Sequence, residues 1–130
     1  MKWTAHAIFC DDIRREHNGK FILIGIYQGS LVTRGFPIAP QLATYVDIRG
    51  VPEGVHKFDI RAEYESDGET MDVATLTNHV DVTDGDLPTI IQGSGMDLAV
   101  EKPGTLKIWL SVDDDKSRLI DSLRVDMQGD

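Results

Sequence analysis

Apolar and charged side chains alternate strictly along residues 58–65. The apolar residues are Phe58, Ile60, Ala62 and Tyr64, and each is followed by a charged residue. Successive side chains of a β-strand point to opposite faces, whereas a helix would scatter these apolar residues around its circumference. The segment therefore predicts a strand with one face on a core and the other face in water.

Two later segments repeat this period of two. Their apolar positions are Leu106, Ile108, Leu110 and Val112 in the first, and Leu123, Val125 and Met127 in the second. No long segment has helical periodicity, so the hydrophobic pattern predicts an all-β domain.

Eight strands are predicted along the chain. Their approximate bounds are Trp3–Cys10, Phe21–Tyr27, Leu42–Arg49, Val55–Glu65, Thr70–Asn78, Thr89–Val100, Thr105–Asp113 and Leu119–Met127. Residues typical of tight turns, such as Gly, Pro, Asn and Asp, separate most of them. This organisation favours a single domain over residues 1–130, an antiparallel β-sandwich of about eight strands that is immunoglobulin-like or jelly-roll-like.

The first predicted turn is the most specific. Asn18-Gly19 suits a type I′ turn, in which both central residues need positive φ. A two-residue hairpin loop there would pair Ile13 with Ile24 and extend the first strand well past Cys10. Gly25, inside the next strand, indicates a bulge or a neighbour that occupies the space of a side chain.

Residues 10–27 carry the signature C-D-D-x-R-x-E-x-x-G-K-x-x-x-x-G-x-Y. With this signature the chain resembles a family of uncharacterised bacterial and phage-associated proteins, a domain of unknown function. The similarity is concentrated in residues 8–40, and Phe36-Pro37 is a looser match. The resemblance implies a compact bacterial or phage domain and transfers no catalytic residue.

Composition narrows the classes of partner and compartment. A formal charge of −9 argues against nucleic acid, because phosphates would be repelled. No run of 18 apolar residues occurs, so no membrane span is expected. Cys10 is the only cysteine, which fits a reducing compartment and predicts a cytoplasmic location. The short apolar stretch before it is interpreted as a strand and not as a targeting peptide.

The acidic residues suggest a cation site. In an antiparallel sandwich, successive connections fall at alternate ends, and counting them predicts one strongly acidic tip. The candidate metal ligands at this tip are Asp11, Asp12, Asp84, Asp86, Asp113, Asp114 and Asp115. Calcium prefers six to eight oxygen ligands drawn from several loops, so it is the expected cation.

The sequence contains no recognisable motif for zinc binding, nucleophilic catalysis or phosphate binding. One cysteine and four widely separated histidines do not make a zinc pattern. The nucleophile elbow and the glycine-rich phosphate loops are absent. The sequence therefore predicts no catalytic residue and no cofactor-binding residue, and it favours a non-enzyme.

Apolar residues outside the predicted strands suggest a contact surface. The connection Gln28–Gln41 is long and unusually apolar; it either contacts a partner or folds over an open end of the core. Trp109 lies on the polar side of its strand, where it packs against Arg124 or Lys107, covers a sheet edge or anchors a partner. The candidate partner contacts are Leu31, Phe36, Ile38 and Trp109.

Three functions are therefore considered. The first is a non-catalytic β-sandwich that acts through contacts with another protein or with itself. The second is a calcium-dependent binding module that uses the acidic tip. The third is an enzyme whose site forms only in three dimensions.

Overall fold

The computed structural model describes residues 2–129 as two β-sheets packed face to face. The strands are β1 Thr4–Arg15, β2 Phe21–Tyr27, β3 Ser30–Thr33, β4 Gln41–Arg49, β5 Gly54–Ser66, β6 Glu69–Val82, β7 Thr89–Asp97, β8 Gly104–Val112 and β9 Arg118–Met127. One sheet has the order β2-β1-β4-β7 and the other β3-β9-β8-β5-β6. The predicted all-β sandwich is confirmed, with nine strands in the described chain instead of about eight. Within residues 2–129 there is no helix long and apolar enough to cross a membrane.

The core lies between the two sheets and follows the predicted alternation. Every apolar position of the alternation in β5 and β8 is buried, as are Leu123 and Val125 in β9. Met127 is exposed instead, because the ladder between β8 and β9 ends where Gly104 pairs with Val125, so β9 runs past its neighbour. The largest fully buried side chains are Phe58, Leu42, Ile48, Leu98, Leu106, Ile108, Leu110 and Leu123.

β3 is the strand that the hydrophobic pattern did not predict. It has four residues and pairs with β9 in parallel, with Leu31 beside Val125. Leu31 is buried and Val32 is exposed, so β3 does alternate, but one alternation is too short to stand out in a sequence. Its parallel pairing means that the sandwich is not purely antiparallel.

The hairpin that joins β1 and β2 has a different register from the predicted one. Ile13 pairs with Leu23 and not with Ile24, so the predicted pairing is wrong by one residue. The cause is the loop: the Glu16 amide donates to the Lys20 carbonyl at 2.8 Å, which leaves three loop residues instead of two. Gly19 ends this loop at a φ of 87°, as in the common three-residue hairpin loop.

This hairpin projects beyond the rest of its sheet. The ladder between β1 and β4 ends where Cys10 pairs with Ala43, but the ladder between β1 and β2 continues to Arg15 and Phe21. Residues 12–24, here called the hairpin arm, are therefore a two-stranded ribbon. Such ribbons are marginally stable alone and need packing on one side.

Candidate functional site

Three isoleucines form an exposed stripe on β2. Ile22, Ile24 and Ile26 alternate along the strand and keep 44%, 45% and 52% of their surface exposed. β2 is the outermost strand of its sheet, so it also presents backbone groups that pair with no other strand. The seven residues of β2 include no charged side chain. An uncharged, apolar, unpaired edge is the usual template for adding another strand.

The bounds of β2 were predicted correctly from the sequence, but the exposed isoleucine stripe was not predicted. The available signal was that β2 is apolar at nearly every position, without the alternation of a strand that has one face in water. Such a run is typical of a strand buried on both faces. In an edge strand it leaves apolar side chains exposed.

The other side of the hairpin arm is packed. Ile13 is buried in a small cluster with Cys10 and Ala43, and Phe21 and Leu23 pack against this cluster. The ring of Phe21 meets that of Tyr45 edge to face, with centroids 5.6 Å apart. This small cluster attaches the arm to β4, so the isoleucine stripe is held on a supported ribbon.

Cys10 is buried in this cluster, as a small apolar residue would be. Burial is the main cause that raises the pKa of its thiol. A thiol with a raised pKa is a poor nucleophile.

A carboxylate replaces a missing side chain where the arm joins the sheet. Gly25 has a φ of 69°, and a Cβ built on it would lie 2.2 Å from Asp11 Oδ2. Asp11 lies across this space, and its Oδ1 accepts a hydrogen bond of 2.8 Å from the Tyr27 hydroxyl. Burial and this bond raise the pKa of Tyr27 to about 12. The prediction that a neighbour occupies the side-chain space of Gly25 is confirmed.

The charged residues of the arm pair locally. Arg14 Nε lies 2.6 Å from Asp12 Oδ2, and this bond lowers the pKa of Asp12. Lys20 Nζ lies 3.6 Å from Glu16 Oε2. The arm as a whole has three basic residues and two acidic ones, whereas the net charge of the chain is −9.

The remaining three edge strands are protected in the ways usual for soluble sheets. β3 is only four residues long, and β6 carries Glu69, Asp72 and Asp81. β7 ends in the charged Asp97, and its residues 92–95 are polar or glycine, so it lacks a continuous apolar edge. Among the four edges, β2 alone combines length, apolar character and the absence of charge.

The structure divides the predicted acidic tip between two ends of the sandwich. Asp11 and Asp12 lie in the second half of β1, away from Thr4, which pairs with Arg49 at the other end. The predicted count of connections was wrong because it left out β3. One extra strand reverses the end of the sandwich at which every later connection falls. Asp84, Asp86 and the Asp113–Asp115 segment do lie near the Arg49 end.

The segment Asp113–Asp115 is organised by hydrogen bonds. Its first two residues have φ values of 54° and 62°, and the Asp115 amide donates to the Val112 carbonyl at 3.1 Å. These are the features of a type I′ turn. Asp114 Oδ1 accepts a hydrogen bond of 2.8 Å from Lys57 Nζ.

His56 links this turn to the β4–β5 connection. Its Nδ1 lies 2.6 Å from Asp113 Oδ2, and its Nε2 lies 2.8 Å from the Pro52 carbonyl oxygen. The Asp113 carboxylate raises the pKa of His56, and the bond from His56 in turn lowers the pKa of Asp113. No motif in the sequence singled out this histidine.

Asp84 and Asp86 form a separate turn. The Asp86 amide donates to Asp84 Oδ1 at 2.9 Å, and Gly85 packs close to the Val51 carbonyl oxygen. Within residues 2–129, no three His, Cys, Asp or Glu side chains are grouped so that they could hold a metal ion. Calcium binding stays a prediction, and the local geometry does not favour it because Asp113 and Asp114 already accept hydrogen bonds from His56 and Lys57.

The predicted contact residues are mostly engaged within the domain. Leu31 is buried in the core, and Phe36 and Ile38 pack against the same core cluster. Ile38 also exchanges two backbone hydrogen bonds of 2.9 Å with Val100. These contacts support the alternative in which the connection Gln28–Gln41 covers the core.

Trp109 packs on the outer face of the five-stranded sheet. Its Nε1 donates to Glu63 Oε1 at 2.7 Å, and the Arg61 guanidinium lies 5.6 Å from the ring centroid. Both contacts come from the neighbouring strand β5 and differ from the predicted contacts with Arg124 or Lys107. A role for Trp109 as a partner anchor stays a prediction.

Fold and site together define a β-sandwich with one uncharged, exposed sheet edge. The chain belongs to DUF6941, a family of unknown function, whose model matches residues 5–125. No curated protein matches the chain. The predicted membership of a family of unknown function is thus confirmed. A bacterial or phage origin stays a prediction.

Proposed function

We propose that this domain is a protein-interaction module that self-associates through the edge of β2. The observation that carries the proposal is the isoleucine stripe on an edge strand without charge. Edge strands of this kind add a further strand by backbone hydrogen bonds, and exposed apolar side chains supply the buried surface.

A second copy of this chain fits the edge because the stripe is self-complementary. Two β2 strands that pair antiparallel about Ile24 bring Ile22 of one copy across from Ile26 of the other. Directly opposite side chains lie about 5 Å apart, so the two stripes bury each other. The two four-stranded sheets then form one continuous sheet with two-fold symmetry, the commonest symmetry of oligomers.

The charge distribution also favours this edge for a second copy. Two chains of net charge −9 repel each other over most orientations. At the hairpin arm the basic residues Arg14, Arg15 and Lys20 outnumber Asp12 and Glu16. Two copies therefore approach with least repulsion when their arms meet.

The test is sedimentation velocity over a range of concentrations on the wild type and two variants. We expect the wild type to form a species of twice the 14.4 kDa monomer mass. Ile24→Lys places two ammonium groups against each other at the two-fold axis, so we expect the dissociation constant to rise about tenfold or more. Met71→Lys is the matched control, since Met71 is also 45% exposed and lies on the edge strand β6.

Two results would contradict the proposal. One is a monomeric wild type at every concentration. The other is equal weakening by both lysine substitutions, which would mean that added charge anywhere, and not the β2 edge, controls association.

A further inference from the structure

A cavity of about 300 Å³ opens between β6 and β7, the edge strands on the side of the sandwich away from β2. It extends inward to three core side chains, those of Val46, Ile60 and Ile108. Its volume is at the lower end of the range for small-molecule sites in proteins.

The cavity exists because two inward positions carry little side chain. Gly93 pairs with Thr44, and a Cβ on it would point inward, 3.2 Å from Thr44 Oγ1 and 3.9 Å from Leu76 Cδ2. Ala62, also on the cavity wall, contributes only a methyl group from β5. The layer of side chains between the sheets is therefore incomplete at this edge.

The lining has a definite chemistry. None of the residues around the cavity is charged, although the chain contains 22 Asp and Glu and 13 Lys and Arg. An anionic ligand group there would find no side chain of opposite charge to pair with, and the net charge of −9 of the chain would repel it. Hydrogen-bonding side chains are present on Thr75, Gln92 and Ser94, which are exposed at the surface.

We propose that this cavity binds a neutral aliphatic chain, with the polar end of the ligand beside Ser94 and Gln92. The apolar wall takes the chain, and the exposed side chains take one hydroxyl, ester or amide group. This activity is separate from self-association through β2, because the cavity lies between the opposite pair of edges.

The first experiment is a ¹H–¹⁵N NMR titration with 1-butanol, 1-hexanol and 1-octanol, and with octanoate as the charged analogue. We expect shifts centred on the Gly93–Gly95 amides and about fourfold tighter binding for each added methylene, the increment for burying one such group. Octanoate is expected to bind more weakly than 1-octanol. Equal or tighter binding of octanoate, or shifts spread evenly over the surface, would overturn the proposal.

The second experiment fills the cavity. Ala74→Leu adds a larger side chain to the lining from β6, and its fold is checked by the dispersion of the NMR spectrum. The matched control is Ala39→Leu, an exposed alanine outside the cavity. We expect Ala74→Leu alone to weaken 1-octanol binding at least about tenfold, the loss expected from about two methylene contacts. Gly93→Ala provides a milder second variant, and unchanged binding in both would overturn the proposal.

Discussion

At the scale of single residues, the turn at Asp113 and Asp114 shows how strain is offset locally. Both residues occupy the left-handed region, which costs a non-glycine residue of order 1 kcal/mol, although aspartate tolerates it better than most. Asp113 recovers part of this cost through His56 and through the Lys57 amide, which donates to its Oδ1 at 2.9 Å. A neutral imidazole has only one N–H, so only the protonated ring can donate both to Asp113 and to the Pro52 carbonyl.

The His56 contact predicts a pH dependence of stability. Because its pKa is raised above the ordinary 6.5, His56 contributes stability that is fully present below pH 6.5 and is lost as the pH rises through the folded-state pKa. The pKa of Asp113 is lowered, so its contribution is present above pH 3.8 and is lost as the pH falls through its folded-state value. The link is therefore strongest between pH 3.8 and 6.5.

Urea unfolding of the wild type and His56→Ala from pH 5 to 9 tests this expectation. We expect the stability difference between them to shrink as the pH rises. His79→Ala, at an exposed histidine on β6, is expected to leave the pH profile unchanged. A difference that is constant with pH would mean that the ring contributes by packing and not by its charge.

At the scale of elements, the sequence predicted strands best where alternation is long. The bounds of β2 were predicted as Phe21–Tyr27, and the structure has the same bounds. Residues 58–65 all lie in β5, with the predicted face buried. β3 could not be found this way because four residues carry too little pattern, and its position depends on pairing with β9, about 90 residues away in sequence.

The candidate site was only partly predictable for the same reason. The apolar composition of β2 is visible in the sequence, but its position at a sheet edge depends on strand order, which local pattern does not encode. The prediction that the candidate aspartates share one tip was wrong because it depended on counting every strand. The pairing of His56 with Asp113 joins residues 57 positions apart, so no local motif marks it.

The junction of the hairpin arm gives a prediction at this scale. Gly25→Ala places a methyl group where Asp11 now lies, so it should break the Tyr27 bond in addition to straining the backbone. We expect a loss of about 2–3 kcal/mol in the free energy of unfolding, measured by urea denaturation.

Gly19→Ala is the control for this substitution. Gly19 also has a positive φ, of 87°, but a Cβ there would meet nothing within 4 Å. It therefore reports the backbone strain alone, which we expect to cost about 1 kcal/mol. If both substitutions cost the same, Asp11 does not stabilise the junction.

At the scale of the whole molecule, charge and apolar surface are distributed unevenly. Residues 1–34 hold five Lys and Arg against three Asp and Glu, and the rest of the chain holds eight against nineteen. The exposed isoleucine stripe lies within the first, less acidic part. Association through β2 must therefore overcome the repulsion between two acidic bodies with a contact that is itself apolar.

This balance predicts that salt strengthens self-association. Raising NaCl from 0.1 M to 1 M shortens the screening length from about 10 Å to about 3 Å, which removes most of the repulsion between bodies of charge −9. The apolar contact itself does not depend on charge, so we expect the dissociation constant from sedimentation velocity to fall as salt rises. Ile24→Lys should stay weaker than the wild type at both concentrations, because screening does not restore the lost apolar contact. A dissociation constant that rises with salt would contradict the proposal. It would mean that ionic attraction holds the dimer together instead of the β2 edge, for example between the basic residues of the arm and an acidic loop of the other copy.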